Sequence, residues 1–175
     1  MAYTNIEIKA RCKNPESIRV ILRTHNAVFK GTDHQIDTYF KVPHGRLKLR
    51  EGNIENNLIY YEREDNSDAG GLKESRYIVY SLDPSASSLK ELLMKALGPL
   101  VVVEKEREIY FIDNVRFHID RVKNLGSFVE IEATDKQGTM SKEKLLEQCA
   151  FFLELFKIPQ DDLIPASYSD LLLRK

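Results

Sequence analysis

The sequence predicts an α+β chain of seven or eight mostly antiparallel strands with a few helices, and three features of it lead there. Apolar and charged residues alternate with period two in several short segments, the signature of strands with one apolar face. Apolar residues fall at helical spacing in others, each opened by a capping residue. No Pro/Gly/Ser linker long enough to divide the 175 residues is present, so residues 1–175 read as one domain.

Taken in order, Ile6-Glu7-Ile8-Lys9-Ala10-Arg11-Cys12 alternates apolar residues with charges and opens the chain as a strand. Asn14-Pro15 supplies a cap and a first-turn proline for a helix that turns Ile18, Ile21 and Leu22 inward. Arg46-Leu47-Lys48-Leu49-Arg50 alternates again, cations on one face and leucines on the other. Segments 58–63 and 76–80 read as strands, separated by the turn-rich Asn66-Ser67-Asp68-Ala69-Gly70-Gly71. Asp83-Pro84 opens a second helix with Leu89, Leu92, Leu93 and Leu97 at helical spacing, stopped by Gly98-Pro99. Strands follow at 101–111, 115–122 and 128–133. Ser141 caps a third helix whose apolar stripe is Leu145, Leu146, Cys149, Phe152, Leu153 and Phe156, and Pro159 ends it. A short last helix covers 168–173.

Composition narrows the function classes. Lys and Arg total 26 against 27 Asp and Glu, which argues against a chain built to coat nucleic acid. No apolar run approaches membrane-spanning length, and the first residues show no basic region followed by an apolar stretch. Cys12 and Cys149 are not in metal-ligand spacing, so a zinc site is not expected and a reducing cytoplasm is.

The charges are segregated by sign. Arg46, Lys48 and Arg50 form a cationic row with side chains about 7 Å apart along one face, and Lys105 and Arg107 form another. Arg63 and Lys73 extend the set. Glu7, Lys9 and Arg11 share a parity, as do Arg116, His118 and Asp120, while Glu130 and Glu132 place two carboxylates on one face. A half-buried sheet with one solvated face explains any one of these rows. Crowded cations of one sign also suit a bridging anion, and polyphosphate accepts both forked Arg bonds and Lys point charges. Two carboxylates at i and i+2 suit a hard cation that also binds phosphate oxygens. There is no Walker A or dinucleotide-type glycine motif, so side chains would have to hold the phosphates. His25, His34 and His44 read as surface residues. His118 fits a structural or a proton-transfer role equally. Tyr39 and Phe40 read as core aromatics, and Tyr168 as a residue that packs or caps the last helix.

These segments together resemble the CYTH superfamily, which contains class IV adenylyl cyclases, thiamine triphosphatases and inorganic triphosphatases. The resemblance rests on Asn5-Ile6-Glu7-Ile8-Lys9, similar to an opening Glu-x-Glu-x-Lys signature, and on 34–40, with its Asp37-Thr38-Tyr39-Phe40. It continues through 46–50, Tyr61-Glu62-Arg63, 71–75, 104–107, 119–132 and 167–172, in order over nearly the whole chain. It implies a closed or nearly closed tunnel of eight antiparallel strands, charges inside and helices outside. It implies a triphosphate held by Lys9, Arg46, Lys48, Arg50, Arg63, Lys73, Lys105 and Arg107. It implies Mg²⁺ or Mn²⁺ held by Glu7, Asp120, Glu130 and Glu132, with Glu7, Lys9, Lys105 and Arg107 at the chemistry. The class IV cyclase-like branch is the most similar, which implies conversion of ATP to cyclic AMP and pyrophosphate. A triphosphatase acting on tripolyphosphate, thiamine triphosphate or a nucleoside triphosphate is the alternative. Asn5 replaces the signature's first Glu and Lys48 stands where Arg is frequent. The first change removes a charge from the metal site, which keeps a non-catalytic polyanion-binding module open as a third reading. The expected partner is a small-molecule triphosphate, without nucleic acid or membrane, the chain being a monomer or a homodimer.

Overall fold

The structure, a computed structural model, describes residues 3–63, 72–83, 87–135 and 138–175. Among the described residues eight strands and four α-helices follow in the order β1 (Tyr3–Arg11), α1 (Pro15–Thr24), β2 (Val28–Phe40), β3 (Arg46–Glu51), β4 (Asn57–Arg63), β5 (Leu72–Ser81), α2 (Ser87–Leu97), β6 (Pro99–Ile112), β7 (Val115–Val122), β8 (Gly126–Asp135), α3 (Lys142–Leu155) and α4 (Tyr168–Leu173). All strand pairs are antiparallel, in the order β1-β5-β4-β3-β2-β6-β7-β8, and β1 pairs with β5 on one side and with β8 on the other. The α+β class and the antiparallel order are those the alternation predicts.

Alternation decides what each face does. Ile6, Ile8 and Ala10 of β1, Val115, Phe117 and Ile119 of β7, and Val129, Ile131 and Ala133 of β8 turn outward and are buried under α1 and α3. Ile18 and Leu22 of α1, Leu145, Cys149 and Phe152 of α3, and Phe156 just beyond it close that layer. Phe117 and Phe152 meet edge to face at 4.7 Å between ring centroids, a favoured aromatic geometry. Burying side chains of this size stabilises by about 1.5–3 kcal/mol each. A smaller cluster, Phe40, Leu49 and Leu93, docks α2 on β2 and β3. The opposite parity of the same strands carries the charges, on the other face of the sheet.

The caps behave as their chemistry requires. The Asn14 side chain accepts from the Ser17 N–H, and Ser141 accepts from Lys144. Ser167 and Asp170 form a reciprocal capping box that starts α4 at Tyr168, as expected. Gly98, at φ +75°, ends α2.

Three expectations are corrected or fall outside. β2 runs for 13 residues where no strand is read from the pattern. Its middle, Thr32-Asp33-His34-Gln35, is polar on both parities and so shows no apolar alternation. Leu92 is 60% exposed, because α2 lies on the sheet through Leu89, Leu93 and Leu97 and one flank faces away. The turn-rich 66–71 segment and Pro84 lie outside the described residues. No helix among the described residues is long and apolar enough to cross a membrane.

Candidate active site

The inner face of the sheet encloses a cavity of about 190 Å³. β1 contributes Asn5, Glu7 and Lys9, β2 Asp37 and Tyr39, β3 Lys48 and Arg50, β6 Lys105 and Arg107, β7 Arg116 and His118, and β8 Glu130 and Glu132. Successive inward side chains on each strand are two residues apart, so strand period alone brings them to one space.

Asp37 is the hub of one wall. Its carboxylate accepts from Lys48 Nζ at 3.0 Å, from Arg50 Nε and Nη2 at 2.8 and 2.9 Å, and from Lys105 Nζ at 2.9 Å. Burial pushes this carboxyl up, but Arg50, Lys105 and Lys48 outweigh it and hold the group well below the usual range. Lys105 is affected the other way. Burial and the neighbouring Arg50, Arg107 and Lys48 pull it down to about 7 against the single opposing charge of Asp37.

The facing wall is richer in carboxylates. Arg107 donates through Nε to Asp120 at 2.7 Å and through Nη2 to Glu130 at 2.8 Å. Lys9 Nζ lies 3.1 Å from Glu130 and 3.5 Å from Glu7, and 4.3 Å from the centre of the Tyr168 ring. Burial pushes Glu130 up, yet Arg107, Lys9 and His118 hold it well below the ordinary range. His118 is pulled down by burial and by Arg107. It is therefore neutral near pH 7 and donates from Nδ1 to Glu130 at 3.0 Å. Its Nε2 is buried with no hydrogen-bond partner, as are Asn5 Oδ1 and Arg116 Nε, all three on residues that line the cavity. Buried polar atoms left this way are costly unless something else satisfies them.

The structure brings together Glu7, Lys9, Lys48, Arg50, Lys105, Arg107, Glu130 and Glu132 of the expected set. Arg46 stands outside the lining, held by α4 through Ser167 Oγ at 2.8 Å and Asp170 at 3.0 Å. Asp120 lies behind Arg107 and accepts from the Tyr168 hydroxyl at 2.7 Å. Arg63 and Lys73 sit on β4 and β5, but their side chains lie outside the described residues. Arg11 is exposed, over the ring of Phe128. The cationic row is not left to repel itself: Asp37 bridges Lys48 and Arg50.

Two residues have roles in the site that the sequence pattern did not assign to them. Asp37 was visible as part of a polar period-two series, Asp33, Gln35, Asp37, Tyr39, that an apolar search ignores. Glu55, on the loop between β3 and β4, pairs with Arg50 at 3.0 Å and with Arg116; nothing in a loop sequence announces such a reach.

Only part of the expected set suits a divalent cation. Glu130 and Asp120 are committed to Arg107. Glu7 and Glu132 are direct cross-strand partners, and Asn5 adds its unsatisfied amide oxygen one inward position away. Two facing carboxylates and an amide oxygen fit a hard cation that keeps other positions for water and phosphate. Among the described residues no group of three or more His, Cys, Asp or Glu is placed to hold a metal by itself, so the set needs ligand oxygens to be complete.

A CYTH domain profile matches residues 4–168. The chain belongs to the CYTH domain family. Over 82 residues it is 34% identical to a Methanocaldococcus jannaschii protein named as a proposed adenylate cyclase, a match covering 47% of this chain and 45% of that one. The match thus spans about half the length of that curated relative. The solved structure of the PH1012 protein from Pyrococcus horikoshii is 25% identical, with a TM-score of 0.77 over 95% of this chain and 98% of that one. A Hippeastrum protein, described as a proposed adenylyl cyclase with a dominant triphosphatase activity, shares the fold at 15% identity. Its TM-score is 0.62, covering 97% of this CYTH chain and 95% of that one.

Proposed function

We propose that this CYTH chain binds the triphosphate group of a small molecule on its inner sheet face and cleaves it with a divalent cation. The observation that carries the reading is the convergence of Lys48, Arg50 and Lys105, from two strands, on the single carboxylate of Asp37, with Arg107 and Lys9 in the same cavity. Lys48, Arg50 and Lys105 against Asp37 and the Glu55 that Arg50 shares with Arg116 leave an excess of cations that a polyphosphate chain neutralises, and buried donors fixed in advance are worth more to a developing charge than flexible surface ones.

Mg²⁺ or Mn²⁺ held by Glu7, Glu132 and Asn5 would neutralise charge on phosphate oxygens and on the leaving group. The chain's own residues do the rest. Lys48, Arg50, Lys105 and Arg107 bind the chain and hold it in line. Asp120 and Glu130 fix Arg107. His118 accepts the proton of the attacking hydroxyl at Nε2, because Glu130 holds the proton of the neutral ring on Nδ1. If the hydroxyl is the ribose 3′-OH of ATP, the products are cyclic AMP and pyrophosphate; if it is water, they are orthophosphate and a diphosphate. The name of the M. jannaschii relative favours the first and the description of the Hippeastrum protein the second. The two buried cysteines, Cys12 and Cys149, are free thiols, which supports a reducing cytoplasm as the setting.

Phosphorus NMR with Mg²⁺ or Mn²⁺, on ATP and on tripolyphosphate in turn, tests the reading. Pyrophosphate with cyclic AMP makes the protein a cyclase. Orthophosphate from tripolyphosphate makes it a triphosphatase. No product from either, nor from other triphosphate esters, contradicts catalysis.

A further inference from the structure

The loop between β3 and β4 is built to present one charge. Asp33 is fully buried and accepts three consecutive backbone N–H groups, from Asn53 at 2.6 Å, Ile54 at 2.9 Å and Glu55 at 3.1 Å. Gly52 is required there, since a Cβ would stand 2.7 Å from both Asp33 carboxylate oxygens. The Asn56 side chain ties the loop to itself, accepting from Gly52 N–H and donating to Gly52 O. Gln35 Nε2 donates both to Asp33 at 2.8 Å and to Glu55 at 3.1 Å. So many bonds to so short a loop fix the Glu55 carboxylate on Arg50, at 3.0 Å, and on Arg116.

Its position is a neck. Glu55, Tyr77, Arg116 and Glu132 line both the inner cavity and a second, wider one of about 630 Å³. Among the described residues, the carboxylates Glu55, Asp113, Glu132 and Asp135 share that outer cavity with the cations Lys30 and Arg116. The balance of charge thus turns acidic where the inner, cation-rich wall ends.

We infer that Glu55 is a specificity-determining residue that limits the length of the phosphate run the site takes. An anionic chain that stops inside the neck keeps the contacts of Lys48, Lys105 and Arg107. One that continues through it must displace Glu55 from Arg50 and Arg116 and then lie among the acids of the outer cavity. The substrates favoured are those whose phosphates end at the neck and whose carrier group, in the outer cavity, is uncharged or cationic; a longer polyphosphate is rejected. This rests on the triphosphate reading above.

The test is titration calorimetry of the full chain with tripolyphosphate and with a medium-chain linear polyphosphate, for the native protein and Glu55→Gln. The Gln variant should bind the longer chain about tenfold more tightly, with tripolyphosphate changed by less than about threefold. Lys30→Glu, at an exposed position, adds an acid to the outer cavity. It should weaken the longer chain several-fold and leave tripolyphosphate unchanged, and it stands in if Glu55→Gln does not fold. Equal effects on both ligands, or none on the longer chain, overturn the inference and leave the triphosphate reading intact. Failure of the native protein and both variants to bind tripolyphosphate overturns the reading itself and the inference with it.

Discussion

On the β2–β3–β6 side of the cavity Asp37 serves Lys48, Arg50 and Lys105, and Glu55 adds a second carboxylate to Arg50. On the β1–β7–β8 side, Glu7, Asp120, Glu130 and Glu132 surround Lys9 and the incoming Arg107. The first wall carries an excess of cations and attracts an anion. The second carries an excess of carboxylates and attracts a cation. The proposed ligand, a polyphosphate with its metal, would satisfy the two walls together. That division of charge, rather than any single residue, is what the fold contributes to the proposed function, and each wall can be altered separately.

The largest effect comes from stripping the cationic side. Lys105→Ala with Arg107→Ala should abolish tripolyphosphate binding by calorimetry. Arg107 also pairs with buried Asp120 and Glu130, so its loss should cost about 3–5 kcal/mol of stability, read as a fall in Tm. Lys105→Ala alone leaves those pairs intact. It should weaken tripolyphosphate about 10- to 100-fold with a small change in Tm, separating binding from folding.

The carboxylate side is tested next through catalysis. His118→Gln keeps a group able to bond Glu130 and removes the proton acceptor at Nε2. It should lower kcat about 10²-fold with KM nearly unchanged; equal changes in both would make His118 a structural residue.

Asn5→Glu sharpens the same wall from the other direction. Position 5 is buried, so the added carboxylate should lower Tm in metal-free buffer and raise Mn²⁺ affinity about tenfold, with Tm recovered when Mn²⁺ is added. Unchanged Mn²⁺ affinity would remove Asn5, and with it this placement of the cation, from the account.

The smallest effect is a slope. Lys105 is brought down to about 7 by burial and by neighbouring cations, so it holds its proton at pH 6 and has lost most of it at pH 8. Tripolyphosphate affinity should therefore fall several-fold across that interval, and Lys105→Arg, which keeps its charge, should flatten the fall for the same ligand. The sign for stability is opposite in sense. The folded value lies below the ordinary 10.5, so the cost of burying this ammonium is present below about pH 7 and fades as pH rises toward 10.5.

How much of this was legible depended on whether the signal was local. β1 and β8 could be read because their outward positions, Ile6 and Ile8 or Val129 and Ile131, are apolar and their inward ones charged. α4 could be read because Ser167 and Asp170 cap it within one turn. β2 could not, since Asp33, Gln35 and Asp37 face in while His34 and Thr32 are polar too, and residues of these types have little intrinsic strand preference. The fates of Arg46 and Asp120 were hidden for another reason. Their parity is right for the inner face, but α4, more than a hundred residues after Arg46, claims Arg46 through Asp170, and Tyr168 claims Asp120. Glu55 reaches the site only because Asp33 folds a loop around its own carboxylate, a contact that no spacing encodes.

The most direct test of the divided cavity is calorimetric titration of the native chain with tripolyphosphate, with and without Mg²⁺. One site per chain, tightened by Mg²⁺, is expected, because the metal answers the carboxylate wall while the phosphates answer the cationic one. Binding that Mg²⁺ weakens or leaves unchanged, or no binding in either buffer, would contradict it.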